Sequence, residues 1–271
     1  MKNVMRCYQI LLVIIFFLPS TTSAYSVSPS IVTLQSSGSG ASAFMRLQNN
    51  AILPVALEFT LHEHTKDIDG KSVIGVEATD DFIIYPHQLI LIPGDEAAVQ
   101  LMWIGEPDIA FEKAFTIVTH QVQIPQQDKA EPEISGGIQL DVKVLINYEG
   151  RIYVTPKGAT HKVVVLDAKN RLYPAAKDAP NIAEAQMVEV TLSNQGTAHR
   201  SLANTSLVFT PISASGVKLK QQNIYIKASD VPAMKPHLLA GTQRRLLLTR
   251  PDNLPIGAFE VILSDPSSKL K

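Results

Sequence analysis

The sequence predicts an all-β protein built from two β-sandwich domains in tandem, and three observations carry that expectation. Apolar and polar residues alternate with period two in a series of short stretches, the pattern of half-buried strands and not of helices. Clusters of Gly, Pro, Asn, Asp and Ser separate those stretches at short intervals. After Val154-Thr155-Pro156-Lys157-Gly158 the series starts again, so Pro156 and Gly158 mark a boundary between domains of residues 25–155 and 156–271.

Residues 1–24 stand apart from this pattern. Lys2 and Arg6 precede an apolar run, Ile10 to Leu18, that is too short to cross a bilayer. Thr22-Ser23-Ala24 then supplies the small residues that a signal peptidase reads, so cleavage is expected after Ala24 and export of the remaining 247 residues. No later stretch is apolar for long enough to span, so no membrane insertion of the mature chain is expected. Cys7, the single cysteine, falls in the removed segment and leaves no thiol for a disulfide, a metal or catalysis. Loss of Lys2 and Arg6 moves the formal charge from −1 to −3, because residues 1–24 contain no Asp or Glu. Such a charge offers no electrostatic attraction for nucleic acid or a membrane surface.

In the first domain, strands are expected over Val27 to Leu34, Ser42 to Gln48, Val55 to His62, Phe82 to Leu91, Ala97 to Trp103 and Phe115 to Gln123. Turn clusters lie between them: Ser36 to Gly40, Asn49-Asn50, Asp67 to Gly70, Pro93 to Glu96 and Gly105 to Asp108. Pro86 interrupts the alternation after Tyr85, so that stretch is kinked or lies at a sheet edge. Phe82, Ile84, Leu89, Leu91, Trp103 and the run Phe111 to Phe115 are read as core. The most regular stretch is Ile138 to Tyr148. Ile138, Leu140, Val142, Val144, Ile146 and Tyr148 form one apolar face, and every residue between them except Leu145 is polar. As a seventh strand it completes the count of an immunoglobulin-like sandwich. It exceeds the usual strand of about 5–6 residues. A strand of that length either covers its own core or lends its face and edge to another chain.

The second domain repeats the pattern over His161 to Ala168, Met187 to Ser193, Ser206 to Phe209, Ile224 to Ile226, Arg244 to Leu248 and Phe259 to Leu263. Asn170 to Asn181, with Pro174 and Pro180, reads as a surface loop. The one helical turn suggested lies near Ile109 to Lys113.

Motifs for chemistry are sparse. His62 and His64 flank Glu63 on one strand face, but no cysteine or third ligand joins them, and solvated edge residues are the simpler reading. His199 follows Gly196-Thr197-Ala198 and reads as a turn residue. Nucleophile elbow, phosphate loop and His-Glu helix motifs are missing, and the carboxylates are dispersed. Ser39 sits in a flexible glycine loop. Asn204-Thr205-Ser206 matches a glycosylation acceptor, a pattern too short to carry weight. No enzyme, metal or cofactor is expected. Among cations within strands, Lys143 reads as solvated. Arg151 follows the bend at Glu149-Gly150 and precedes the domain junction, where a cleft would let it grip a carboxylate.

The segments Phe82-Ile-Ile-Tyr-Pro-His-Gln-Leu with Ile92-Pro-Gly-Asp, and Trp103-Ile-Gly-Glu-Pro with Glu112-Lys-Ala-Phe, occur in the first domain. Asn147-Tyr-Glu-Gly-Arg-Ile-Tyr-Val-Thr-Pro, Leu192-Ser-Asn-Gln-Gly-Thr-Ala-His and Leu238-Leu-Ala-Gly with Leu254-Pro-Ile-Gly follow. In order and spacing they resemble the periplasmic chaperones of chaperone–usher pilus assembly, most closely the archaic, spore-coat-protein-like branch. The resemblance implies two immunoglobulin-like domains in an L-shape and a periplasmic location. It also implies partners, namely pilus subunits lacking their last strand and an outer-membrane usher. Donor-strand complementation would fall to Ile138 to Tyr148, with its even-numbered residues as plugs. Family members hold the subunit's terminal carboxylate with one cation on the first strand and one on the last. Here Val27 to Leu34 has no basic residue. Matching the alternation puts Leu145 at the last-strand position, whereas matching Pro156 puts Arg151 there. Arg151 is favoured, with Arg46 or Lys143 as the second charge. The rival readings are an exported carbohydrate-active enzyme or binding protein, and a structural surface subunit.

Overall fold

The computed structural model describes residues 24–124, 144–173, 185–202, 205–225, 237–250, 254 and 257–264. The first half forms two facing sheets. One has the strand order β1 (Tyr25–Ser28), β3 (Ser42–Asn49), β8 (Glu96–Trp103), β6 (Phe82–Tyr85). The other runs β2 (Ile31–Gln35), β10 (Tyr148–Thr155), β9 (Lys113–Val122), β4 (Val55–Lys66), β5 (Ser72–Glu77), with β7 (Gln88–Leu91) also paired to β4.

Two strands expected as single pieces are divided between the sheets, and both divide at a proline. The Val27 to Leu34 stretch becomes β1 in one sheet and β2 in the other, with Pro29 between them. Phe82 to Leu91 becomes β6 and β7, with the crossing at Pro86. A residue without an N–H cannot continue a ladder, so the chain changes partners there.

Between the sheets lie Leu34, Leu47, Phe59, Leu61, Leu101, Phe115 and Ile152, all buried. Phe82 meets Trp103 and Phe115 edge-on at centroid distances of 5.1 and 4.9 Å, a favoured arrangement for aromatic rings. Trp103 satisfies its indole N–H on the Glu106 carbonyl. Phe82, Leu91, Trp103 and Phe115 are therefore core as expected, but Phe111 is exposed. The helical turn expected near Ile109 to Lys113 is absent; the chain bends there and enters β9.

In the second half, β11 (Val163–Tyr173), β12 (Ala185–Asn194) and β17 (Gln243–Thr249) form one sheet. β15 (Gln222–Tyr225), β14 (Ser206–Pro211) and β18 (Phe259–Ser264) form a second, and β13 (Arg200–Ser201) pairs with β16 (His237–Leu238). Val188, Val190, Leu192, Leu207, Phe209 and Leu246 make its core. β11 continues to Tyr173, so the loop expected over Asn170 to Asn181 is strand from Asn170 to Tyr173, and its remainder lies outside the described residues. The two cores are separate clusters, and the whole is a pair of immunoglobulin-like β-sandwiches.

Candidate functional site

The last strand of the first domain begins at Tyr148, where the alternating stretch ends. Ile138, Leu140, Val142 and Lys143 lie outside the described residues. Residues 144–147 precede β10 and carry no strand. Over residues 144–147 the expected Ile138 to Tyr148 strand is not formed, and the hydrogen bonds give the reason. Side chains replace the backbone ladder: Ile146 N–H donates to Gln121 Oε1 at 3.0 Å, and Gln121 N–H donates to Asn147 Oδ1 at 3.2 Å. The Tyr25 hydroxyl lies 2.8 Å from the Ile146 carbonyl and 3.1 Å from that of Thr119, tying this segment to β9.

The apolar face of the stretch divides in the same place. Ile146 and Tyr148 pack against the chain's own core, and Tyr148 meets Tyr25 edge-on at 4.8 Å. Both are partly buried there, on the side of this chain's own sandwich. Burial, with Tyr148 adding to it, raises the Tyr25 hydroxyl well above the usual phenol range. Val144, one step earlier in the alternation, is 73 % exposed, and Leu145 is 44 % exposed.

The edges of β10 differ along its length. From Arg151 to Val154 it is paired on both sides, antiparallel to β9 and parallel to β2. From Tyr148 to Gly150 its ladder partner is β9, and β2 begins only opposite Arg151. Gly150 is required here, because a Cβ would press on Ile117 and on the Ser30 carbonyl. The outer edge of the segment leading into β10 therefore has no ladder partner among the described residues.

Ile152 and Val154 face the core, whereas Arg151 and Tyr153 face outward. The Arg151 side chain is only 18 % exposed, with Nη2 3.5 Å from Glu149 Oε2 and Nη1 donating to the Gly150 carbonyl. Arg46 sits on the outer face of the other sheet, in an exposed 2.9 Å pair with Glu96. The structure does not bring Arg46 and Arg151 together, since the thickness of the sandwich separates the two outer faces.

Tyr153 is buried although it points away from its own core, because the second domain covers it. The His199 ring stacks on it at 3.9 Å, with His237 5.0 Å further on. Burial and the Glu112 carboxylate raise the Tyr153 hydroxyl, against the pull of Arg151. The Glu112 side chain is 2 % exposed, reaches His199 across the junction at two points and is braced by Thr155 on its own side. Its Oε1 accepts the His199 backbone N–H at 2.9 Å and lies 2.6 Å from Nδ1, and its Oε2 accepts the Thr155 hydroxyl at 2.8 Å. His199, expected in a free turn, is instead part of this contact.

A second contact comes from the β4–β5 hairpin. Lys66 Nζ donates to the His237 carbonyl at 3.0 Å. Arg245 grips Asp69 through Nε and Nη2, both at 2.7 Å, and its backbone N–H donates to the Ile68 carbonyl. Gly70, at φ +84°, lies flat on the buried Arg244 guanidinium, and a Cβ there would overlap it. Burial lowers the Arg244 guanidinium, while Asp67 and Asp69 oppose that shift. His64, expected at a solvated edge, is buried beside the Thr116 hydroxyl, because β5 continues the sheet past it. No group of three His, Cys, Asp or Glu is placed to hold a metal among the described residues. No described helix is long and apolar enough to cross a membrane.

No family model matches the chain, and no curated protein matches its sequence. Solved structures do match. A chain of a chaperone–tip adhesin complex, described as vital for synergistic activation of CFA/I fimbriae biogenesis, superposes with a TM-score of 0.51 at 11% identity. That match covers 84% of this chain and 90% of the other. The class 5 fimbriae chaperone CfaA gives a TM-score of 0.51 at 10% identity, covering 89% and 99%. At such identity the likeness is one of architecture, and because it spans both sandwiches, the chain has the two-domain fold of the fimbrial chaperones.

Proposed function

We propose that this protein is a periplasmic assembly chaperone for fimbrial subunits, acting by binding and without chemical catalysis. It lends the stretch from Ile138 to Val144 to a subunit sandwich that lacks a strand, and passes the capped subunit to an outer-membrane usher. The division into residues 25–155 and 156–271, with residues 1–24 removed on export, is part of this reading.

The observation that carries it is the unpaired outer edge leading into β10, where Val144 stands exposed at the end of an alternating apolar run. Extending the alternation as a strand puts Ile138, Leu140, Val142 and Val144 on one side, in line with the inward-facing Ile146 and Tyr148. Four such plugs at roughly 1.5–3 kcal/mol each offer about 6–12 kcal/mol before ordering costs. That is comparable with the whole stability of a small domain, about 5–15 kcal/mol. It suffices to keep an incomplete sandwich folded. We assign the subunit's terminal carboxylate to Arg151, a largely sheltered cation beside Tyr153 near the junction.

The test replaces Leu140 and Val142 with Asp. The double variant should keep the wild-type circular dichroism and melting temperature, yet fail to hold co-expressed subunits soluble. Protection equal to wild type would remove the donor role from this stretch.

A further inference from the structure

The domain junction is fastened at two places that answer differently to protons. One is the paired grip of Arg245 on Asp69. The other is the packing of Tyr153, His199 and His237 around the Glu112 carboxylate. His237 is the proton-sensitive member of that group. Its Nδ1 is buried without a hydrogen-bond partner, while its backbone carbonyl takes the Lys66 ammonium. The groups facing it are Lys66 from β4, Glu112 from the segment entering β9, Tyr153 from β10 and His199 from the loop before β13. The single carboxylate among them already serves His199 and Thr155.

We propose that this ring cluster is a proton-operated release of the domain junction. With His237 neutral, the rings pack and the two sandwiches lock. With His237 charged beside Lys66 and a second imidazole, the second domain swings off Tyr153 and pivots on the Asp69–Arg245 grip.

Burial first, then His199 and Lys66, push the His237 imidazole down from its ordinary 6.5 to about 4. The closed junction therefore binds fewer protons than the open one. Closure is at full strength above about pH 6.5, weakens as pH falls below that, and reaches its floor near pH 4. The separation corresponds to a change of up to a few hundredfold in the closed-to-open ratio. The Arg245 hydrogen bond holds the Asp69 carboxyl below its ordinary range, so the pivot outlasts the release.

Because the mature chain lacks cysteine, Asp95→Cys and Lys220→Cys give a spin-label pair across the junction. Distance distributions by double electron–electron resonance between pH 7.5 and 4.0 should show one narrow population that gives way to a second, displaced one in acid. His237→Phe, which keeps a ring but takes no proton, should hold a single population throughout. Lys66→Met, which removes the neighbouring cation, should shrink the acid-induced fraction and covers the case in which His237→Phe does not fold. An unchanged wild-type distribution overturns the proposal, as does a variant that opens in acid like wild type. Neither result bears on subunit capping, which is read separately by the donor-strand variants.

Discussion

The hydroxyl of Tyr25 is the smallest group whose removal tests how the base of the lending segment is held. It touches two carbonyls, Ile146 at 2.8 Å and Thr119 at 3.1 Å, but carries one proton to share between them. Tyr25→Phe therefore removes about one hydrogen bond's worth of stability, not two, or about 1–1.5 kcal/mol. The ring and its edge-on contact with Tyr148 stay in place, so no cavity adds to that figure. Urea unfolding measures the loss. Hydrogen exchange measures its location: residues 146–148 should lose protection several-fold more than β4 or β8, because the tie to the Ile146 carbonyl is gone. A stability change below about 0.3 kcal/mol, or a loss of protection spread evenly over the first domain, would refute the idea that Tyr25 pins this segment.

Two other perturbations read the junction. Gly70→Ala should cost clearly more than Gly94→Ala, by about 1–2 kcal/mol in thermal unfolding. Both sites have φ near +85°, but only at Gly70 does the new methyl group meet the Arg244 guanidinium, while nothing lies near Gly94. Asp69→Asn should cost less than about 1 kcal/mol at pH 7, since the pair with Arg245 is largely solvated. The Asp69 carboxyl is depressed in the folded chain, so its contribution is present above its ordinary 3.8 and lost as pH falls through the lower folded value. The difference between variant and wild type should accordingly shrink in urea melts as pH falls below 3.8.

How much of this was legible beforehand varies along the chain. β3, β4 and β8 were readable because their two faces meet different media, core on one side and water on the other, and alternation records that difference. β5 was missed because nearly all its side chains are exposed, so no apolar face marks it. β13 and β16 were missed because two residues are too few to show a period. β10 was hidden for the opposite reason. Ile152 and Val154 enter the core while Tyr153 is covered by the second domain, so three apolar residues in a row erase the alternation.

The sequence by itself determined that the chain is all-β, and that one mid-chain stretch carries a long apolar face. These are local properties, set by which residue types follow one another. Only the tertiary structure decided that Ile146 and Tyr148 turn into their own core while Val144 stays out, and that Arg46 and Arg151 lie on opposite faces. It also decided that Glu112, Tyr153, His199 and His237 meet at all. Those four residues are spread over more than a hundred positions and come from both domains, so their contact depends on how two finished sandwiches dock, which no local pattern encodes.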